Sequence, residues 1–404
     1  MRWTEKRNFE AILSAIENGS LHVKELITEF VPIEAFNRIY DDIGKSRSIA
    51  SILTYTQNGG ESGKGAETVV LEKRSFKGQK AVTAFIGAGN FTKMTMLPNL
   101  KGSGANFKYI CSSGGLSGTT LAKKFGFSHS TTDYREALKD EEVDTVFITT
   151  RHSSHAGFVR EALEAGKHVF VEKPLAINQE QLEEIVAAYR KAAELPQPPS
   201  LTIGFNRRFS PHTQAIKKAI GKDPGPLNMV ATMNAGFIPP QVWVHDMQVG
   251  GGRIIGEACH YMDLCAYLAG SEIQSVCMNA MGTETRENTD NASILLKFRN
   301  GSNAAINYFA NGSKSYSKER VEVFSQERVF ILDNFRSTRA YGVKGFKKLK
   351  TRINKGHKTQ FHTYIQRIRE GGEELIPFHE MVNVTLASFA ALQSLREKRW
   401  VDIR

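Results

Sequence analysis

The chain has 404 residues, of which 41% are hydrophobic and 24% charged, and its formal net charge is +11. This length predicts two or three domains, and no apolar run reaches the roughly twenty residues that a membrane-spanning helix needs. The four cysteines show no Cys-x-x-Cys spacing, and the amino end has no apolar run typical of a signal peptide. We therefore expect a cytoplasmic protein with reduced thiols, without a metal site and without a membrane partner.

Much of the positive charge lies in residues 344–358, which hold seven lysines and arginines and no acid. A solvated surface loop accounts for such a run, and a patch that attracts an anionic substrate is the alternative. Only Phe346 adds an aromatic ring to this stretch, so we expect no nucleic-acid partner.

Residues 1–56 form a first predicted domain. Apolar residues from Phe9 to Ile16 have helical spacing, and Asn18-Gly19 ends the helix. A similar pattern from Phe36 to Ile43 predicts a second helix, and a strand is predicted at Ser51–Tyr55. Residues 57–79 follow as a Gly- and Ser-rich linker or extension.

Strands and helices alternate in the next predicted domain, residues 80–205. The strands are Ala81–Ile86, Phe107–Cys111, Thr145–Thr149, His168–Val171 and Ser200–Gly204. The helices are Lys93–Leu100, Thr119–Phe125, Ala156–Ala165 and Gln179–Ala193. This alternation predicts an α/β fold, a doubly wound parallel sheet with helices on both faces.

Residues 206–404 have a different pattern, with strands joined by short turns such as Asn300-Gly301. The strands are Met229–Met233, Ser275–Met281, Ala292–Phe298, Asn303–Phe309, Arg320–Phe324 and Val329–Leu332. The helices are Glu257–Leu268, Gln360–Arg369 and Met381–Arg396. We expect an α+β domain with a large open, mostly antiparallel sheet that binds substrate and makes oligomer contacts.

A glycine turn, Gly87-Ala88-Gly89, follows the first strand of the 80–205 domain. A strand, a glycine turn and a helix present backbone N–H groups and a helix N-terminus to a pyrophosphate. Thr92 stands where the fingerprint normally has its third glycine. We expect a dinucleotide to contact Gly87, Gly89, Asn90 and Phe91.

The second strand of this domain ends at Cys111-Ser112-Ser113, where an acid normally binds the ribose 2′-hydroxyl. No carboxylate there repels a 2′-phosphate and no adjacent arginine binds one. Ser112 and Ser113 are candidate ribose contacts, with capping of the next helix as the alternative. The expected cofactor is therefore NAD or NADP.

Five ordered segments resemble the glucose–fructose oxidoreductase and inositol 2-dehydrogenase (Gfo/Idh/MocA) family, from about residue 80 to the end. They are Phe85–Asn90, Val143–Thr150, Ala165–Pro174, Gly204–Phe209 and Gly250–Arg253. The resemblance implies a Rossmann domain followed by a domain whose open sheet forms a homo-oligomer. It also implies cofactor contacts from a set of matching positions, namely Thr149, Thr150, Arg151, His155, Glu172 and Lys173.

Lys173 is the candidate catalytic base, because it follows a strand end in a nucleotide-binding fold. A buried amine beside a cationic nicotinamide favours its neutral form, which can accept the proton of a substrate hydroxyl. The alternative is a surface lysine at a strand end.

His260 is the second catalytic candidate. Glu257, His260 and Asp263 are spaced by three on a predicted helix, so we expect Asp263 to orient the imidazole and Glu257 to lie in the substrate site. Members that resemble inositol dehydrogenases have an aspartate where this chain has Gly256, and in an α-helix Glu257 points about 100° away from it. This departure weakens the expectation of an inositol substrate. A buried core histidine is the alternative role.

Two further residues are candidate substrate contacts. Arg207 offers a guanidinium to a carboxylate or phosphate, with a structural ion pair as the alternative. Trp243 offers an aromatic face to a sugar ring, although a loop tryptophan also serves to anchor its loop.

The first domain has a resemblance of its own. Residues 2–8, 26–28 and 50–55 are similar to the carboxyl-terminal tail of zinc-type medium-chain alcohol dehydrogenases, without their zinc ligands. This implies the second half of a two-enzyme fusion.

The function that we expect is hydride transfer between NAD(P) and a secondary alcohol of a sugar, sugar derivative or cyclitol. One alternative is a glycoside hydrolase that uses bound NAD for transient oxidation. The other is a non-catalytic dinucleotide-binding partner, which the loss of the aspartate at Gly256 favours and Lys173 disfavours.

Overall fold

The structure, a computed structural model, describes residues 4–36, 38–39, 48–55 and 68–403. The chain divides into two compact units, Met1–Ala66 and Glu67–Arg404. The boundary that the sequence predicts near residue 56 lies outside the described residues, as do residues 57–67 of the predicted linker. Residues 68–79, also assigned to that linker, are described and include a short strand, Thr68–Val70.

The first unit contains helix α1 (Glu5–Glu17) and a parallel pair of strands, β1 (Ile27–Pro32) and β2 (Ala50–Thr54). The Thr4 side chain caps α1 by accepting a hydrogen bond from the Arg7 N–H. The apolar face predicted for α1 is exposed within this unit, with the side chain of Phe9 71% accessible. Short 3₁₀ turns are found at Lys24–Leu26 and Ile33–Ala35. The predicted helix from Phe36 to Ile43 falls largely outside the described residues.

The second unit begins with a seven-stranded sheet. Its strands are β3 (Thr68–Val70), β4 (Val82–Ile86), β5 (Asn106–Cys111), β6 (His129–Thr131), β7 (Thr145–Ile148), β8 (His168–Val171) and β9 (Leu201–Ile203). Their order is β3-β6-β5-β4-β7-β8-β9, and every neighbouring pair is parallel except β3 with β6. The strand order reverses between β4 and β7, which opens a crevice at their carboxyl ends. The predicted doubly wound sheet is confirmed.

Helices connect these strands. They are α2 (Leu97–Leu100), α3 (Leu116–Phe125), α4 (Tyr134–Lys139), α5 (His155–Glu164) and α6 (Gln179–Ala192). A π-helical turn, Thr92–Met96, leads into α2. β4 is buried along its whole length, and the ring of Phe85 stacks on that of Phe147 at 4.7 Å. The continuous apolar sequence of β4 follows from this burial on both faces.

A nine-stranded sheet forms the other layer of the second unit. Its strands are β10 (Asn228–Asn234), β11 (Ile273–Ala280), β12 (Asn291–Phe298), β13 (Asn303–Phe309), β14 (Glu319–Ser325), β15 (Arg328–Asp333), β16 (Ser337–Tyr341), β17 (Lys348–Lys350) and β18 (Val401–Asp402). The order is β17-β16-β15-β14-β10-β13-β12-β11-β18. The pairing is antiparallel except between β10 and β13, so the predicted mostly antiparallel sheet is confirmed.

Four helices accompany this sheet, α7 (Pro211–Ile220), α8 (Cys259–Ala269), α9 (His357–Glu370) and α10 (Phe378–Glu397). A second π-helical turn, Ile254–Ala258, precedes α8. α10 packs on β11, whereas α9 returns to the first sheet, where Phe361 and Tyr364 contact Phe170. The carboxyl-terminal part of the chain therefore helps to cover the nucleotide-type sheet. Further 3₁₀ turns are His152–Ser154, Asn206–Phe209 and Trp243–His245.

Candidate active site

A cleft of about 1400 Å³ lies at the carboxyl ends of β4, β5, β7 and β8. It brings together nearly all the site residues that the sequence predicts. These are Gly87, Gly89, Asn90, Phe91, Ser112, Ser113, Thr149, Thr150, Arg151, His155, Glu172, Lys173, Arg207, Trp243 and His260. Glu257 is the predicted residue that does not line it.

The glycine turn is tightly built around Gly87, whose φ is +117°. A Cβ at this position would lie 2.6 Å from Thr149 Oγ1 and 2.9 Å from the carbonyl carbon of Thr149, so only glycine fits. The hydroxyl of Thr92, at the position of the third glycine, donates to the Gly87 carbonyl at 3.1 Å and braces the turn. The backbone at Gly89 has open space beside it. A turn of this shape fits the pyrophosphate of a dinucleotide.

The end of β5 carries the two serines. Ser112 Oγ accepts a hydrogen bond from the Gly118 N–H at 3.1 Å, which ties it to the first turn of α3. Ser113 is exposed at the cleft. The capping alternative therefore applies to Ser112, and Ser113 remains a predicted ribose contact.

Lys173 follows β8 and reaches across the cleft. Its Nζ donates a hydrogen bond to the main-chain carbonyl of Gly256 at 2.9 Å, and the Lys173–Pro174 peptide bond is cis. His155 supports this segment from beneath, with Nδ1 2.7 Å from the Pro174 carbonyl and Nε2 3.3 Å from the Thr150 carbonyl. Burial lowers the pKa of His155 to about 4, so the ring is neutral and fully enclosed. His155 is also among the residues that line the cleft, so a cofactor contact by His155 stays a prediction beside this supporting role.

Glu172, beside the lysine, has an unusual environment. Burial raises the pKa of its carboxyl group to about 7. Both carboxylate oxygens lie against Gly204, where a Cβ would come within 2.7 Å of each. Glycine at 204 therefore makes room for this side chain.

His260 also lines the cleft and is only 8% exposed. Burial is the main reason that the pKa of His260 lies well below its ordinary value, and Arg207 and Lys173 lower it further. Its Nδ1 is buried and has no hydrogen-bond partner among the described residues. The prediction that Asp263 orients this ring is wrong, because the Asp263 carboxylate accepts hydrogen bonds from Arg208 Nη2 at 2.5 Å and Nε at 3.2 Å.

Arg207 is committed to an ion pair. Its Nε and Nη2 donate to the two carboxylate oxygens of Glu319 at 2.8 and 3.2 Å, and Lys355 Nζ reaches the same carboxylate at 2.5 Å. Glu319 has no accessible surface and Arg207 is 6% exposed. The structural ion pair therefore describes Arg207 better than the predicted substrate clamp.

Glu257 is similarly engaged. Arg253 donates to both of its carboxylate oxygens at 3.1 and 3.3 Å, and the Tyr308 hydroxyl donates at 2.6 Å. The prediction of a substrate contact is corrected accordingly. Gly256 and Glu257 lie in the π-helical turn and not in an α-helix. The placement of Glu257 outside the cleft lining agrees with the expectation that it points away from the position of the aspartate.

The structure adds residues that the sequence reasoning missed, above all His152, Asn206, Lys355 and His357. Burial lowers the pKa of His357 to about 4, so its ring is neutral. Trp243 faces the cleft and packs edge-on against His152, with ring centroids 4.8 Å apart. The Arg151 guanidinium lies 5.9 Å from the Trp243 ring. His152 precedes His155 by one turn, but nothing in the local sequence shows that it meets Trp243.

Comparisons with known proteins place this cleft in a family. Residues 82–197 match the model described as oxidoreductase family, NAD-binding Rossmann fold, and residues 214–330 match the GFO/IDH/MocA C-terminal domain. An uncharacterized oxidoreductase of Bacillus subtilis, YrbE, is 30% identical over 272 residues, which are 64% of this chain and 76% of that protein. The chain belongs to the Gfo/Idh/MocA oxidoreductase family.

Other relatives of this Gfo/Idh/MocA oxidoreductase are named dehydrogenases. A myo-inositol 2-dehydrogenase of Thermotoga maritima is 26% identical over 298 residues, 70% of this chain and 86% of that protein. A solved structure of levoglucosan dehydrogenase in complex with NADH and levoglucosan has the same fold, with a TM-score of 0.69 and 21% identity over 80% of this chain and 98% of that chain. The predicted enzyme class and NAD-type cofactor are confirmed at this level.

Two further observations bear on cofactors and location. Among the described residues, no group of three or more His, Cys, Asp or Glu side chains is placed to hold a metal ion. Within the same ranges, no helix combines the length and apolar character needed to span a bilayer.

Proposed function

We propose that the protein is an NAD(P)-dependent dehydrogenase acting on a secondary alcohol of a sugar, sugar derivative or cyclitol. The observation that carries this proposal is the position of Lys173, which lines the nucleotide cleft and is held there by its hydrogen bond to the Gly256 carbonyl. The names of the relatives, which include inositol and levoglucosan dehydrogenases, support the substrate class.

The main chain at Gly87 and Gly89 would hold the pyrophosphate, and Ser113 is the candidate contact for the adenosine ribose. The bound nicotinamide supplies the site that accepts or donates hydride. Lys173 would accept the proton of the substrate hydroxyl, and the Gly256 carbonyl fixes the position of its Nζ. His260 is neutral and enclosed, so it offers a hydrogen bond to the substrate without adding charge.

The test replaces Lys173 with Met and uses Lys191→Met, on the exposed surface of α6, as the matched control. Purified proteins are incubated with NAD⁺ or NADP⁺ and a panel containing myo-inositol, scyllo-inositol and levoglucosan, and absorbance at 340 nm is followed. We expect Lys173→Met to lose about 10²- to 10⁴-fold in kcat/KM, as when a general base is removed, while NADH still binds. Retained turnover would overturn the role of Lys173.

The same assay separates the dehydrogenase from an NAD-dependent glycoside hydrolase. A dehydrogenase accumulates one NADH for each alcohol oxidised, whereas transient oxidation leaves the cofactor unchanged after many turnovers. A non-catalytic partner would bind NADH and give no turnover with any member of the panel.

We also propose a homo-oligomer formed through the nine-stranded sheet. The strands of this sheet alternate buried and exposed residues, and the exposed positions include Leu295, Phe309 and Phe324. An apolar, solvent-facing sheet surface is typical of a subunit contact. Light scattering coupled to gel filtration tests it, and Leu295→Lys should lower the measured mass.

We further propose that the first unit is similar to the carboxyl-terminal tail of a medium-chain alcohol dehydrogenase and takes no part in cofactor binding. The family models begin at residue 82, and the cleft-lining residues that the structure describes run from Ile86 to His357. We therefore expect that deletion of residues 1–66 leaves NADH binding unchanged.

A further inference from the structure

The space beside the α-carbon of Gly256 is filled by the imidazole of His152. A Cβ at residue 256 would lie 2.9 Å from His152 Cε1 and 3.2 Å from its Nδ1. A contact below 3.0 Å essentially never occurs for a real Cβ, so a side chain at 256 and this histidine ring exclude each other. The His152 ring therefore fills the space in the cleft that a side chain at residue 256 would otherwise fill.

The orientation of the His152 ring is fixed. Its Nδ1 lies 2.7 Å from the Gly250 carbonyl oxygen, which can only accept, so Nδ1 carries the proton. Burial, with a smaller effect from Lys173, lowers the pKa of His152 to about 3, and the ring is neutral. Nε2 is then the ring nitrogen with a lone pair to offer. The edge of Trp243 packs against the ring and holds its plane.

Gly256 connects this histidine to the catalytic lysine. The His152 ring lies where a Cβ of residue 256 would point, and the carbonyl oxygen of Gly256 accepts the hydrogen bond of Lys173 Nζ at 2.9 Å. Both side chains line the same cleft. His152 and Lys173 therefore both lie next to Gly256 in the cleft, close enough for the ammonium to lower the pKa of the imidazole.

We propose that His152 contacts the substrate directly, with Nε2 accepting a hydrogen bond from a hydroxyl of the alcohol and orienting the reacting carbon toward Lys173. This inference rests on the proposed dehydrogenase function and assigns a specificity-determining residue to it. A neutral acceptor at this point selects a hydroxyl-bearing carbon next to the reaction centre. Lys173 takes the proton, because an imidazole this enclosed is a weak base.

The experiment uses the full chain with the alcohol of the panel that is oxidised fastest. His152→Asn keeps an N–H that reaches the Gly250 carbonyl and lacks an atom at the Nε2 position, whereas His152→Gln places an amide near that position. We expect His152→Asn to lose roughly 10- to 100-fold in kcat/KM, the effect of one substrate hydrogen bond, and His152→Gln to recover part of it. NADH affinity, measured by fluorescence titration, should change by less than about twofold, since Gly87 and Gly89 are untouched.

Deoxy analogues of that alcohol separate substrate contact from loop support. For the analogue that lacks the contacted hydroxyl, wild-type and His152→Asn proteins should have similar kcat/KM, as in a double-mutant cycle. An equal loss with every analogue, or wild-type kcat/KM in His152→Asn, would show that His152 only anchors the Gly250 loop and would overturn the inference. Absence of turnover in the wild-type protein refutes the proposed dehydrogenase instead, so the two failures are distinguishable.

Discussion

Glu319→Gln should be one of the most destabilising single changes in the second unit. The Glu319 carboxylate has no accessible surface and neutralises two cations, Arg207 and Lys355. Burial raises its pKa, but the Arg207 guanidinium and the Lys355 ammonium lower it more, so that its net pKa lies well below its usual range. The carboxylate is therefore charged at any pH at which the protein is studied.

The magnitude follows from the three hydrogen bonds that this carboxylate accepts. Glutamine keeps one acceptor oxygen and turns an N–H₂ group toward the cations, so at least one bond from Arg207 or Lys355 is lost. Arg207 then keeps a charge that is 6% exposed and no longer compensated. Removing one partner of a buried ion pair costs about 3–5 kcal/mol of unfolding free energy.

Glu272→Gln is the matched control, because it breaks an ion pair with Arg299 whose side chains are 34% and 57% exposed. An exposed pair contributes about 0–1 kcal/mol. Urea unfolding of the full chain, followed by tryptophan fluorescence and circular dichroism, should give a midpoint for Glu319→Gln well below that of Glu272→Gln. Equal midpoints for the two variants would refute the reasoning that burial makes the Glu319 pair strong.

Three further outcomes can be checked on the same preparations. Gly87→Ala should weaken NADH binding by at least about tenfold and lower the thermal midpoint, because φ is +117° and the new Cβ meets Thr149, whereas Gly89→Ala should leave the midpoint of the unliganded protein unchanged. The pKa of Glu172 is raised by burial to about 7, so the unfolded chain releases this proton at lower pH and stability falls as pH rises from about 4.3 to 7. Glu172→Gln should flatten this decrease in thermal midpoint, and an unchanged slope would contradict the assignment. Dialysis against EDTA should leave turnover unaltered, and restoration by added Zn²⁺ of an activity lost on dialysis would show that a metal site had been overlooked.

The sequence predicts the core of both sheets because their strands are apolar over most of their length. β4, β7 and β8 are buried on both faces, and a continuous apolar run is a strong signal. The elements that escaped prediction are mostly short or at an edge, such as β3 and β6 with three residues each. α7, with ten residues, also escaped prediction, although its Pro211 follows Ser210 as a proline follows a helix cap.

The site was less predictable than the fold. Spacing in the sequence suggested that Asp263 serves His260, but Arg208, distant in sequence, binds Asp263 instead. The sequence could not predict that the His152 ring lies against Gly256, because this contact depends on how the segment after β7 packs on the turn before α8. The partners of Glu257 also lie outside any local pattern, because Tyr308 comes from β13, distant in sequence.

The anchor of Lys173 has a consequence for how this enzyme diverges. Its Nζ is held by a main-chain carbonyl, which every amino acid provides, and not by a side chain. A substitution at His152 can therefore change the surroundings of the alcohol while the carbonyl that anchors the lysine is unchanged. Under the proposed function, the group that positions the lysine is thus distinct from the side chain that would contact the alcohol, and separate mutations can alter the two.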